Sequence, residues 1–214
     1  MFTVVTPETI QLSPGAVLQF PGNWQDYQKL CQQLGDRTSP RIKYRPGEIL
    51  LMSPLPKHGR EAHVIAMVVI AILDYLEQDY EAFTPITMEL PEERGIEPDY
   101  CFYIQNWAAV AGKDRINWGV DPSPDLVIEI DVTSYTDIND YLPYQVPEVW
   151  LFKKKQLLIY HLEDKSYSLQ NSSRNFAEFD VSKIVDEAIT ITRDHNTSAA
   201  IRQLRQKLAS QNLK

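Results

Sequence analysis

Apolar positions along the chain follow two periods. After Asn23, a residue suited to capping, WQDYQKLCQQLG brings Tyr27, Leu30, Cys31 and Leu34 round at helical spacing and stops at Gly35, which predicts a short amphipathic helix. Over 58–77, Val64, Ile65, Met67, Val68, Ile70, Ile72 and Leu73 leave almost no polar face. A helix apolar all round is buried, so this one is expected against a sheet. Strand patterns fill most of the remainder. Arg41–Arg45 and Glu48–Met52, joined by Pro46-Gly47, predict a hairpin. Residues 83–90, 97–103 and 125–132 predict further strands, with a turn at 92–95, and VPEVWLFKK, LLIYHLE and KSYSLQ predict an antiparallel meander. Short helices are expected at 105–111 and 135–145 and a closing helix at 197–209, whereas 180–191 has no clear period. Pro7, Pro14 and Pro21 make residues 1–22 an irregular arm or a short edge strand.

This order is mixed α/β (α+β), with the long buried helix ahead of the central strands. It divides into an N-terminal arm (1–22), one main unit (23–194) and a C-terminal helix packed on or extending from it (195–214). Composition alters the picture in two respects. The chain has 214 residues, 43% hydrophobic and 23% charged, as expected of one globular unit. Its net charge of −8 argues against a DNA-coating role, because such binding rests on Lys and Arg neutralising phosphates, so any nucleic acid must meet a local basic patch. Cys31 and Cys101 form no CxxC pair, which offers no zinc site and suits a reducing compartment. The apolar stretch 64–73 falls short of the roughly 20 residues of a membrane span, and no signal peptide is evident. A cytoplasmic protein with no membrane partner is expected.

Candidate chemistry lies in two strands that open on Pro-Asp. In EPDYCFY (97–103) and SPDLVIEIDVTS (123–134), carboxylates stand among apolar residues. A buried ionised acid must neutralise or find a cation, so Asp99, Glu129 and Asp131 call for an explanation, whereas Asp125 after its proline reads as a turn residue. Glu129 and Asp131 are two apart and share a strand face, with Cα atoms about 7 Å apart. Together with Glu48 at the start of its strand, these acids suit an all-oxygen pocket for Mg²⁺ or Mn²⁺, ions that hydrolyse phosphodiesters by activating water. His58 opens the long helix beside this site. His63, five residues on, cannot share a metal with it and is expected in the core. The run Lys153 to Lys155 reads as a solvated strand end. No GxSxG, Walker or dinucleotide glycine pattern occurs.

GEILLMSP followed by His58, then EPD, PDLVIEI and a downstream Tyr-x-x-x-x-VPEVW resembles the PD-(D/E)XK nuclease superfamily, in its Uma-two-like branch of restriction-endonuclease-like proteins. The resemblance covers about 23–162. It implies a mixed sheet flanked by helices, Mg²⁺-dependent (or Mn²⁺-dependent) DNA cleavage, and Glu48, Asp99 and Glu129 as metal-binding positions. The superfamily's third element is acid-x-lysine, and here it reads Glu129-Ile130-Asp131. In this branch a lysine often stands four residues before the tyrosine instead, but that place is Asp137. Lys57 and His58 are candidate substitutes, and the sequence leaves the base unidentified. Two functions follow: a metal-dependent DNA endonuclease with Glu48, His58, Asp99, Glu129 and Asp131 at its centre, or an inactive domain of the same fold that binds nucleic acid or protein. The apolar meander and the two strands of a duplex suggest a homodimer.

Overall fold

Proline and glycine set the first hairpin. Gly47 takes φ +86° behind Pro46, the arrangement a tight turn demands, and pairs β2 (Arg41–Arg45) with β3 (Glu48–Met52) so that Arg45 faces Glu48 and Arg41 faces Met52. The computed structural model describes residues 12–35, 39–131 and 136–210. The remaining elements are β1 (Val17–Pro21), α1 (Trp24–Leu34), α2 (Pro56–Tyr75), β4 (Glu81–Phe83), β5 (Met88–Leu90), β6 (Arg94–Ile96), β7 (Tyr100–Tyr103), α3 (Trp107–Val110) and β8 (Leu126–Asp131). A 3₁₀ helix (Ile138–Tyr144), β9 (Glu148–Lys153), β10 (Gln156–Glu163), β11 (Ser166–Gln170), α4 (Val181–Asp194) and α5 (Thr197–Ser210) follow.

The strands form two sheets, ordered β1-β3-β2-β6-β5 and β11-β10-β9-β8-β7-β4. The second is mixed: β8 runs parallel to β9 and antiparallel to β7. Parallel strands need a long crossover, and the 3₁₀ helix lies in it. One face of this sheet, carrying Leu126, Ile128, Ile130, Trp150 and Phe152, packs with α2, α4 and α5. On the other, Cys101, Tyr103, Val127 and Val149 pack with Met88 and Ile96 of the first sheet. The meander's apolar residues Val149, Trp150 and Phe152 are thus covered within the chain. α1 is fixed by reciprocal bonds between Asn23 and Asp26 and ends at Gly35. It lays Trp24 and Tyr27 on Ile42, Tyr44, Ile49 and Leu51.

Several expectations change. The strand expected over 83–90 is two, because Pro85, which has no N–H for a ladder, falls where the chain passes from one sheet to the other. The turn expected over 92–95 is narrower, since Arg94 already begins β6. The stretch that showed no clear period is helical from Val181 despite its β-branched residues: Asp180, the cap, accepts a bond from the Lys183 N–H, and Val181, Val185, Ala188, Ile189 and Thr192 bury one stripe. His63 is exposed rather than in the core. Val132 and Tyr135, parts of the expected strand and helix, lie outside the described residues. Among those described, no helix is long and apolar enough to cross a membrane.

Gly95 tests the seating of the first sheet. A Cβ there would stand 2.5 Å from the Tyr27 ring, which is fully buried between Trp24 and Tyr44. Gly95→Ala is expected to lower stability by about 1–3 kcal/mol in urea denaturation, as overpacking does.

Candidate active site

Alternation along β2 sends Ile42 and Tyr44 under α1 and Arg41, Lys43 and Arg45 to the opposite face. Each cation there meets an acid from another part of the chain. Arg41 pairs with Asp99, which immediately precedes β7. Lys43 Nζ lies 2.8 Å from Glu129 Oε1 on β8. Arg45 grips Asp140 of the 3₁₀ helix with two bonds of 2.8 Å, and Arg94 adds a 3.2 Å contact to the same carboxylate.

The two central acids are almost out of water, at 1% exposure for Asp99 and 3% for Glu129. Asp99 is held on both oxygens: His58 Nε2 is 2.7 Å from Oδ1, and the Ile130 N–H donates to Oδ2 at 2.8 Å. Burial opposes its charge, but the bond to His58, the Arg41 guanidinium and the Ile130 amide outweigh it and hold the carboxyl below its ordinary range. Glu129 Oε1 also accepts from the Tyr141 hydroxyl at 2.5 Å. That hydroxyl is pushed well above its usual value, by burial first and then by Glu129, so it remains a donor. For Lys43, burial works against the charge and is overcome by Glu129, which raises the ammonium above its usual value.

A cavity of about 20 Å³ opens between Arg41, Lys43, His58, Glu97, Glu129 and Ile130, room for about one water. Glu97 is a site residue that the sequence analysis passed over. It is the first letter of EPD, and burial pushes its carboxyl up to about 7 against the pull of Arg41 and the Ile42 amide. The larger cavity of about 670 Å³ between residues 82–87 and 113–118 holds none of the acids singled out above.

The structure therefore brings His58, Asp99 and Glu129 together and leaves two others apart. Glu48 is 30% exposed at its side chain, 3.9 Å from Arg45, and does not line the small cavity. Asp131 is buried on the same strand as Glu129 but pairs with Lys153 at 2.7 Å, its register partner on β9. Two neighbouring carboxylates thus each receive their own lysine. Asp137 caps the 3₁₀ helix by accepting from the Asn139 N–H, and Asp125 accepts from the amides of Ile104 and Gln105. The ammonium beside Glu129 comes from β2 and not from Lys57, which pairs with Glu61 at 3.6 Å. Its signal in the sequence was the alternating basic face of RIKYR.

Among the described residues no group of three or more His, Cys, Asp or Glu is arranged to hold a metal ion. The donors fit one in kind, however: Mg²⁺ is ordinarily held by one or two carboxylates with waters and substrate phosphate rather than by an all-protein cage, and Glu129 lines the small cavity with Glu97 while Asp99 stands behind His58, which lines it too.

Comparison with protein families matches residues 24–193 to the family model described as "Uma2: Putative restriction endonuclease". Among solved structures similar to the chain is a "putative nuclease belonging to DUF820" from Anabaena variabilis. It is 16% identical, with a TM-score of 0.52 over 88% of this chain and 99% of that one. At that identity the likeness is one of fold. The curated proteins give no match.

The Lys43–Glu129 pair is open to a double-mutant cycle. Lys43→Met leaves a buried carboxylate without its cation and is expected to cost roughly 3 kcal/mol, whereas Lys43→Met with Glu129→Gln costs less than the sum of the single changes. Additive losses in equilibrium unfolding would show that the pair is not coupled.

Proposed function

The chain belongs to the Uma2 family of "putative restriction endonuclease" proteins, and from that premise we propose that it is a Mg²⁺-dependent (or Mn²⁺-dependent) DNA endonuclease centred on Asp99, Glu129 and Lys43. The observation that carries this reading is the 2.8 Å approach of Lys43 to Glu129. It joins an ammonium to the acid pair, which the sequence motif by itself does not.

In this reading Asp99 and Glu129 would hold the ion, with Glu97 beside Glu129 in the lining of the small cavity. The ion, when bound, supplies the charge neutralisation and the acidified water that phosphodiester hydrolysis requires. The chain's own residues do the rest. Lys43 stands as a fixed positive charge and a hydrogen-bond donor toward the oxygens that gain charge as the phosphate is attacked. Arg41 is placed to do the same from the Asp99 side. His58 and the Ile130 amide orient Asp99, and Tyr141 orients Glu129. Asp131, neutralised by Lys153, is a bystander to the reaction. A homodimer belongs to the same reading, because cutting both strands of a duplex takes two such centres.

A second reading, a binding module of the same fold without catalysis, draws on the completeness of the ion pairs, since Asp99 and Glu129 are each compensated by the chain's own cations. Calorimetric titration with Mg²⁺ separates the two readings. The endonuclease binds it at millimolar concentration, and a protein showing no heat of binding there is the module.

Cleavage of plasmid DNA is expected to stop with EDTA and return with Mg²⁺. Lys43→Met is expected to lose on the order of 10²-fold or more in rate, the scale of removing a positioned electrostatic group, and Glu129→Gln at least as much, both with cooperative melts retained. Asp131→Asn is expected to stay within about tenfold of the unmodified chain; a collapse comparable to that of Lys43→Met would return the central role to Asp131.

A further inference from the structure

We infer that the tip of the β9–β10 hairpin and the first turn of α2 form a seat for the phosphates of a nucleic-acid backbone, beside the proposed reaction centre. The inference rests on the function proposed above only in taking a polynucleotide as the ligand. The hairpin turns through two residues, Lys154 and Lys155, between the paired Lys153 and Gln156. Both turn residues have positive φ, 50° and 66°. A two-residue turn with both φ positive favours Asn and Gly, and lysine is poorly suited to it. Unfavourable backbone at two adjacent side chains of one chemistry points to a use for those side chains.

What the lysines face supports this. They line a cavity of about 370 Å³ with Lys57, Glu61, Asp131 and Phe152, and a second cleft of about 560 Å³ on the side of Leu157, Ser182 and Asp186. Lys57 is engaged by Glu61 and Lys153 by Asp131. Lys154 and Lys155 are exposed and have no ion pair with the described residues. In a chain of net charge −8, this is the local basic patch that contact with an anionic polymer requires. Two clefts flanking a doubly charged tip suit a run of phosphates better than one compact anion. Ile130 lines both the 370 Å³ cavity and the one holding Glu129, so a backbone laid along the tip passes next to the acids.

The test replaces Lys154→Asn and Lys155→Gly together, a pair that favours this turn. Binding of a labelled DNA duplex is followed by fluorescence anisotropy in EDTA over a series of salt concentrations. The variant is expected to melt at or above the unmodified chain's temperature, bind about tenfold or more weakly near 0.1 M salt, and show a log–log salt slope shallower by about 2. Lys154→Arg with Lys155→Arg is expected to keep both affinity and slope. Unchanged affinity and slope in the Asn-Gly variant, or no salt-dependent DNA binding by the unmodified chain, would overturn the seat. A chain that binds DNA through these lysines and never cleaves it would instead refute the endonuclease reading and leave the seat standing.

Discussion

Two ion pairs from β2 join the first sheet to the second at the site, and a third ties β2 to the 3₁₀ helix. Arg41, Lys43 and Arg45 reach Asp99, Glu129 and Asp140. Charges this far from water are tolerable only with their partners in place, and removing one member leaves the other uncompensated. The constraint therefore works in two directions. The acids fix where β2 stands against the second sheet, and the seating of β2 decides whether the acids have cations at all. That seating is apolar. Tyr44, on the back of β2, packs against Trp24 and Tyr27 of α1 with ring centroids 5.3 and 5.6 Å apart, and the Tyr144 hydroxyl reaches the carbonyl oxygens of Met88 and Arg94 in the first sheet. An aromatic cluster on the far side of β2 thus sets the position of the lysine that meets Glu129.

What the sequence disclosed divides along the distance over which each signal acts. The hairpin, α1 and α2 were legible because their turns, caps and apolar periods are local, and Asp99 and Glu129 were legible because acids in apolar strands are conspicuous. The cation was not, because Lys43 and Glu129 are 86 positions apart and no local pattern names a partner across two sheets. Glu48 looked like a ligand from its place at the head of an apolar strand. Pairing set it opposite Arg45 at the turn end of the hairpin, away from the cavity. Asp131 looked like an extra ligand by its two-residue spacing from Glu129, but the parallel register with β9 put Lys153 beside it. α4 was missed because Val, Ile and Thr lean toward strands, and the burial of one stripe of it decided the matter.

The chain departs from the acid-x-lysine order, yet Glu129 has an ammonium beside it, supplied from β2. A constellation is recognised by the groups it assembles and not by their order in the chain. Here a strand of the first sheet delivers an ammonium to Glu129, while the motif's third position carries an acid that β9 neutralises. Asp99 shows the same logic on the other side, with its cation from β2, its histidine from α2 and its amide from β8.

The central claim, that the ammonium of Lys43 serves the reaction, is tested most directly by removing that group and returning it chemically. Lys43→Cys followed by alkylation with 2-bromoethylamine rebuilds a side chain of nearly the same length with the amine at its end, and the unmodified chain treated identically controls for Cys31 and Cys101. The account predicts that Lys43→Cys does not cleave DNA in Mg²⁺ and that aminoethylation restores cleavage. Full activity of Lys43→Cys before alkylation would contradict it.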